Sequence, residues 1–111
     1  MALYKEIIER DQIYLDANIS LAKLARQLNT RPYILSDVIN ASTSNNFNTF
    51  INGFRVKHAA KLLVQDESTS VLDIAYASGF NSKSVFYKHF SEAKSMTPAQ
   101  YRKVFFKKRL T

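Results

Sequence analysis

The chain has 111 residues, of which 46% are hydrophobic, and a formal charge of +7. It contains no cysteine, which excludes disulfides, thiolate metal sites and a cysteine nucleophile. No apolar run approaches about 18 residues, so no segment is built to span a membrane. Lys5, Glu6, Glu9 and Arg10 within the first ten residues are unlike a secretory leader. The expected compartment is the cytoplasm.

The pattern is helical throughout, and two Gly and two Pro leave little room for a flexible linker. Leu3, Ile7 and Ile8 mark a short first helix over roughly residues 2–11. Ser20 caps a second helix whose inner face is Leu21, Leu24, Ala25 and Leu28. Asn29, tolerant of the left-handed conformation, supplies a sharp turn. Pro32 opens a third helix that is expected to bury Ile34, Leu35, Val38 and Ile39 and to end in the polar run 42–46. A long fourth helix spans Phe47 to Gln65, with Phe47, Phe50, Ile51, Phe54, His58 and Leu62 along one face. Gly53 inside it suggests a close contact. Ser70 with Asp73 caps the fifth helix, and Gly79 ends it. Asn81 is positioned to cap a sixth helix burying Val85, Phe86, His89 and Phe90. Thr97-Pro98-Ala99-Gln100 is a strong helix start, and the seventh helix runs from it toward Phe106.

The second and third helices form a unit that the fifth and sixth repeat. Leu24-Ala25 aligns with Ile74-Ala75, and Asn29 with Gly79. Leu35 and Ile39 align with Phe86 and Phe90 after one extra residue. Each copy has a small residue for a close helix crossing, a turn residue that accepts positive φ, and two apolar residues four apart. Those are the requirements of a helix-turn-helix, whose second helix enters a DNA groove. A plain helical bundle with similar turns is the alternative. Charge favours the first reading. Residues 1–82 carry eight Lys/Arg and eight Asp/Glu, whereas residues 83–111 carry eight Lys/Arg against Glu92 alone. A one-sided basic field attracts a polyanion, nucleic acid before anionic membrane. Lys107 to Arg109 by themselves could equally be a solvated tail.

The residues Asp73-Ile74-Ala75, Gly79-Phe80, Ser82, Ser84, Phe86, Lys88, Phe90, Thr97-Pro98 and Tyr101-Arg102 resemble the DNA-binding domain of the AraC/XylS family of transcription regulators. Leu24-Ala25, Pro32, Leu35-Ser36, Phe47, Arg55, Ala59 and Leu62-Leu63 extend the resemblance over about residues 13–105. It implies an all-α fold of seven helices: two homeodomain-like helix-turn-helix lobes (20–40 and 70–91) joined by the 47–65 linker helix, one domain over 1–111. It also implies two recognition helices in successive major-groove turns of double-stranded DNA, and RNA polymerase as a further partner of an activator. Three positions depart from the family pattern: Asn29 where Gly is usual, Asp37 where a basic residue is common, and Val85 where an aromatic is frequent.

On the third helix, Arg31, Tyr33, Ser36, Asp37 and Asn40 form the face offered to DNA. Arg31 suits guanine, Asn40 suits adenine, and Asp37 can accept from cytosine while repelling phosphate. On the sixth, the face is Ser82, Lys83, Ser84, Tyr87, Lys88 and Ser91, with Lys83 and Lys88 for guanine or phosphate. Helix starts at Ser20, Ser70 and Thr97 are phosphate clamps by their N–H groups, with charge added by Arg102 and Lys103. Arg55 is expected to have an intrachain partner. His89 and Glu92 make too small a set for a metal, and no nucleophile–base pair or phosphate loop stands out. No cofactor, metal or enzymatic activity is expected. A sensor or dimerisation segment, usual in the family, is not recognisable, so the chain reads as part of a longer regulator. The rival functions are a protein-binding module using Tyr33 and Asp37, and membrane-surface attachment through Val104 to Leu110.

Overall fold

The computed structural model describes residues 1–43 and 45–110, with side chains omitted for 107–110. Among the described residues there are seven α-helices and one 3-10 turn, and no strand. They are α1 (Ala2–Arg10), the 3-10 turn (Ile13–Leu15), α2 (Leu21–Gln27), α3 (Pro32–Thr43), α4 (Phe47–Gln65), α5 (Val71–Ala77), α6 (Lys83–Lys94) and α7 (Pro98–Leu110).

Local chemistry places most of these boundaries. Ser20 Oγ accepts from Lys23 N (3.1 Å) and Ser70 Oγ from Asp73 N (3.0 Å), each satisfying a donor that the first helical turn leaves open. Asn46 Oδ1 caps α4 by accepting from Thr49 N. Thr97 and Gln100 form a reciprocal capping box: Gln100 N donates to Thr97 Oγ1 and Thr97 N to Gln100 Oε1. The cap of α6 is Ser82, not Asn81; its hydroxyl accepts from Val85 N at 3.3 Å. A serine oxygen one residue nearer the helix has the reach that Asn81 lacks. The 3-10 turn, entered through Gln12 at φ 51°, has no signature in the sequence pattern.

The two turns repeat at the level of single hydrogen bonds. Asn29 N donates to Arg26 O and Thr30 N to Ala25 O; fifty residues later Gly79 N donates to Tyr76 O and Phe80 N to Ala75 O. This is a left-handed helix stop, which captures carbonyls that the helix end leaves unpaired. Asn29 sits at φ 56°, within reach of a non-glycine residue, whereas Gly79 sits at φ 100°. The different angles explain how Asn29 can stand in the first turn.

Each lobe has its own core, and α4 serves both. Ile8, Leu24, Ala25, Leu35, Ile39, Phe50 and Ile51 are among the residues of the first. Val56, Ala59, Leu63, Ile74, Phe80, Phe86 and Phe90 are among those of the second. The single face expected on α4 is therefore two faces, since the lobes approach from different sides. His58 and Leu62 are only half-buried, while Val56, Ala59, Ala60 and Leu63 are buried in their place. Between the two cores lies a polar turn of helix, Asn52 and Arg55, both buried. Ile34 and Val85 occupy equivalent repeat positions and both are exposed (39% and 38%), contrary to the expected burial. Each flanks its helix's apolar seam, and the seam is filled by the pair four apart.

Gly53 makes no close contact, contrary to expectation: a Cβ there would meet nothing within 4 Å. Gly53 therefore only weakens the helix by its backbone freedom. Gly53→Ala is expected to stabilise the domain by up to about 1 kcal/mol. A thermal melt that falls on substitution would contradict this.

Candidate nucleic-acid interface

Two short helices, α3 and α6, each of twelve residues, are held by matching pairs of side chains. Leu35 and Ile39 fix α3 on the first core, and Phe86 and Phe90 fix α6 on the second; all four are fully buried. Phe86 is gripped by Phe80 (ring centroids 5.0 Å) and Phe90 (5.6 Å), and Phe90 by Tyr101 (5.3 Å). With one side of each helix locked, the other is left free.

Arg31 just before α3, and Tyr33, Asp37 and Asn40 on it, are exposed, and Ser36 is half-buried. Tyr33 holds its ring well out from the core, at 62% exposure. On α6, Lys83, Ser84 and Lys88 are exposed, while Tyr87 and Ser91 are half-buried. Tyr87 packs its ring edge-to-face on Phe86 (5.7 Å) and carries the Lys83 ammonium 5.6 Å from its centroid. This aromatic props the lysine, a modest cation–π attraction at an exposed site. Ser82 is committed to its cap and to Ser84 Oγ, 3.0 Å away. Among the described residues the ion pairs are Arg10–Asp11 and Lys57–Glu9. No carboxylate among them therefore neutralises Arg31, Lys83 or Lys88.

A helix-turn-helix family model, described as "Helix-turn-helix domain", matches residues 24–104. The chain belongs to the AraC/XylS family of helix-turn-helix domains. The melibiose operon regulatory protein of Escherichia coli K12 is 42% identical to this AraC/XylS domain over 62 residues, covering 56% of the chain and 20% of that protein. An uncharacterised HTH-type transcriptional regulator of Staphylococcus aureus strain COL is 28% identical over 97 residues, covering 87% and 13%. The chain thus spans a fifth or less of these relatives' lengths. Among solved structures, the C-terminal domain of the response regulator yesN from Fusobacterium nucleatum superposes with a TM-score of 0.74 at 26% identity, covering 91% of this chain and 95% of that one. The C-terminal domain of AraT from Geobacillus stearothermophilus reaches 0.76 at 24% identity, covering 93% and 83%, and shares the fold.

In this AraC/XylS domain, Arg102 is half-buried and turned onto backbone carbonyls at the end of α4. Its guanidinium donates to Leu63 O (3.2 Å), Asp66 O (2.9 Å) and Thr69 O (2.7 Å). It ties α7 to the end of α4 and the 66–69 loop. That loop is also tied internally: the Asp66 carboxylate accepts from Ser68 N, Ser68 Oγ and Thr69 Oγ1. Those bonds, Ser68's first, hold the Asp66 carboxyl down at about 2. Sequence places Arg102 beside a basic run, where it looks like a phosphate contact. Its position one residue after the core-facing Tyr101 is the signal for an inward role.

Lys94 lies 5.9 Å from the Tyr101 ring centroid, and Lys103 is exposed. Lys107, Lys108 and Arg109 have side chains outside the described residues, as has much of the membrane-surface segment 104–110. Among the described residues no helix is long and apolar enough to cross a membrane.

Arg55 does have intrachain partners. Its Nε donates to Tyr14 O (2.7 Å), Nη2 to Asp16 O (2.8 Å) and Nη1 to Asn52 Oδ1 (2.9 Å). Burial holds its pKa below the ordinary guanidinium value, against the pull of nearby Asp16. Asn52 Nδ2 is in turn 3.2 Å from His89 Nε2 on α6. The chain Tyr14/Asp16–Arg55–Asn52–His89 joins the first lobe, the linker helix and α6. Sequence flags Arg55 and a half-buried His89 separately; Asn52 carries no signal, because polar residues on a long helix ordinarily face solvent.

Proposed function

We propose that this domain binds double-stranded DNA sequence-specifically to regulate transcription, with α3 and α6 entering successive major-groove turns. The observation carrying the proposal is the pair of equivalent helix-turn-helix units on one rigid helix, each with one apolar seam buried and one polar face free. A 19-residue helix is about 28 Å long at ~1.5 Å per residue. That length suits a spacer between sites about 34 Å apart on a duplex. The residues assigned to DNA are Arg31 at the entry to α3, Tyr33, Ser36, Asp37 and Asn40 on α3, and Lys83, Tyr87 and Lys88 on α6. Ser82 would serve as the cap that orients α6. The helix starts at Ser20, Ser70 and Thr97 would hold phosphates through their backbone N–H groups.

In this reading the protein acts in the cytoplasm, as part of a longer regulator that carries a sensor or dimerisation segment. Activation through contact with RNA polymerase is the expected outcome on a promoter. In vitro selection of bound duplexes, followed by transcription from the selected sites with purified polymerase, tests both parts.

The two units should contribute unequally. The α6 face carries Lys83 and Lys88, whereas α3 carries Asp37, which repels phosphate. Replacing Lys83 and Lys88 together with alanine is expected to weaken duplex binding at least about tenfold, each contact being worth roughly 1–3 kcal/mol if made to a base. The salt dependence should flatten if they touch phosphates. Fluorescence anisotropy over a salt series measures both; unchanged affinity and slope would sink the assignment of α6.

A further inference from the structure

We propose that His89 is a positioning residue for DNA recognition: it holds the second reading helix to the linker helix through Asn52, and only while its imidazole is neutral. The functional half of this statement rests on the DNA-binding reading above; the coupling of the lobes does not.

The direction of every hydrogen bond in the chain is dictated by Arg55, which has donors and no acceptor. Nη1 lies 2.9 Å from the Asn52 side chain, so the amide must present its oxygen there. Its NH2 group then points at His89 Nε2, 3.2 Å away. Nε2 must therefore accept, leaving the imidazole proton on Nδ1. A second proton, arriving at Nε2, would set N–H against N–H. Rotating the Asn52 amide to rescue that contact would turn its NH2 group toward Arg55 and create the same conflict there. Neither orientation satisfies both neighbours once His89 is charged.

The surroundings favour the neutral ring. Burial is the leading cause that holds the pKa of His89 below its ordinary 6.5; Lys88 and Arg55 lower it further, and only Glu92 raises it. Lys88 and Glu92 lie on its own helix and Arg55 on α4. The other residues lining the two grooves beside His89, among them Thr49, Phe80, Asn81 and Val85, carry no charge. For a histidine with a lowered folded pKa, the neutral form is the one favoured by folding. The link is thus complete above the ordinary value and is lost as the pH falls through the lowered one.

The link matters because the two cores are separate. The first lobe holds α3 and the second holds α6, and their relative placement depends on α4, on the close approach of Gly79 to Tyr14 and Leu15, and on this polar chain. Two helices that must meet neighbouring groove turns tolerate little error in their offset.

The absence of cysteine allows a direct test. Spin labels at Ala22→Cys on α2 and Ala93→Cys on α6, both exposed positions, report the distance between lobes. At about pH 8 the distance distribution should be narrow, and it should shift or broaden once the pH has fallen below the lowered pKa of His89, the point at which the imidazole nitrogen shifts report protonation. In the His89→Gln protein, whose amide can still accept but does not titrate, it should stay narrow at both. Duplex affinity should fall about tenfold across the same interval in the parent, and less than about twofold in the variant. Nitrogen shifts of the unlabelled parent provide a check that needs no variant: Nε2 should be the bare nitrogen at neutral pH. A protonated Nε2, or a label distance that ignores pH, overturns the proposal. A distance that responds while no duplex binds at any pH retains the lobe coupling and overturns the role in DNA recognition.

Discussion

Replacing Arg55 with alanine should destabilise the domain by about 3–5 kcal/mol, a large share of the roughly 5–15 kcal/mol typical of a small fold. Arg55 is 8% exposed, and its guanidinium is held by two backbone carbonyls and one amide oxygen, with no carboxylate in the set. Removing it leaves Tyr14 O and Asp16 O without their charged donor, and each such bond contributes roughly 1.5–3 kcal/mol. Part of this is offset, because the substituted protein no longer desolvates a cation. Arg55→Lys should be only a partial rescue, since an ammonium cannot reproduce a planar fork that reaches three acceptors at once. Urea unfolding followed by circular dichroism measures the loss; a change below about 1 kcal/mol would show that the bridge is incidental. Because Arg55 joins two separate cores, the alanine protein should also unfold less cooperatively, with a smaller denaturant slope.

Gly79→Ala is the second large effect, and it strikes the same junction from the other side. Gly79 sits at φ 100°, outside the range that side chains accept comfortably. A Cβ would collide with Tyr14 O, the carbonyl that receives Arg55 Nε, and would lie 2.9 Å from Nε itself and 3.1 Å from Leu15 Cα. Backbone strain of about 1–3 kcal/mol adds to displacement of that carbonyl. A total of about 3 kcal/mol or more is expected, read again from the urea midpoint. Asn29→Ala in the equivalent turn should cost clearly less, since φ there is 56° and the turn does not abut the Arg55 bridge. Both Gly79→Ala and Arg55→Ala disturb the Tyr14 O contact, so the double variant should lose less than the two singles together. Strict additivity would mean that glycine and arginine act through different contacts.

The repeat is legible because its requirements are local. Ser20 and Ser70 cap, Asn29 and Gly79 turn, and Leu35/Ile39 and Phe86/Phe90 anchor, each through chemistry that acts within a few residues. The exposed faces of α3 and α6 follow from the anchors by helical periodicity. Positions beside the seam are less legible. Ile34 and Val85 are apolar, and periodicity alone cannot tell the middle of a buried stripe from its edge. The face of α4 is misjudged for a related reason: a helix serving two cores has two buried arcs, and one periodic template averages them.

Charged and polar residues show where sequence stops. Arg102 and Lys88 look alike as members of a basic stretch, yet Arg102 donates to three carbonyls and Lys88 is exposed. Asn52 is an ordinary helix residue until Arg55 and His89 are brought to it from 3 and 37 positions away. Seven helices, a doubled turn and a basic second half can be read from the residue order, because caps, turn residues, apolar spacing and net charge are properties of short stretches. Folding is needed to settle which cations remain available to an anion and which are spent inside the protein. It also settles how one lobe is locked to the other, because hydrogen-bond partners distant along the chain meet only when both cores have closed on the same helix.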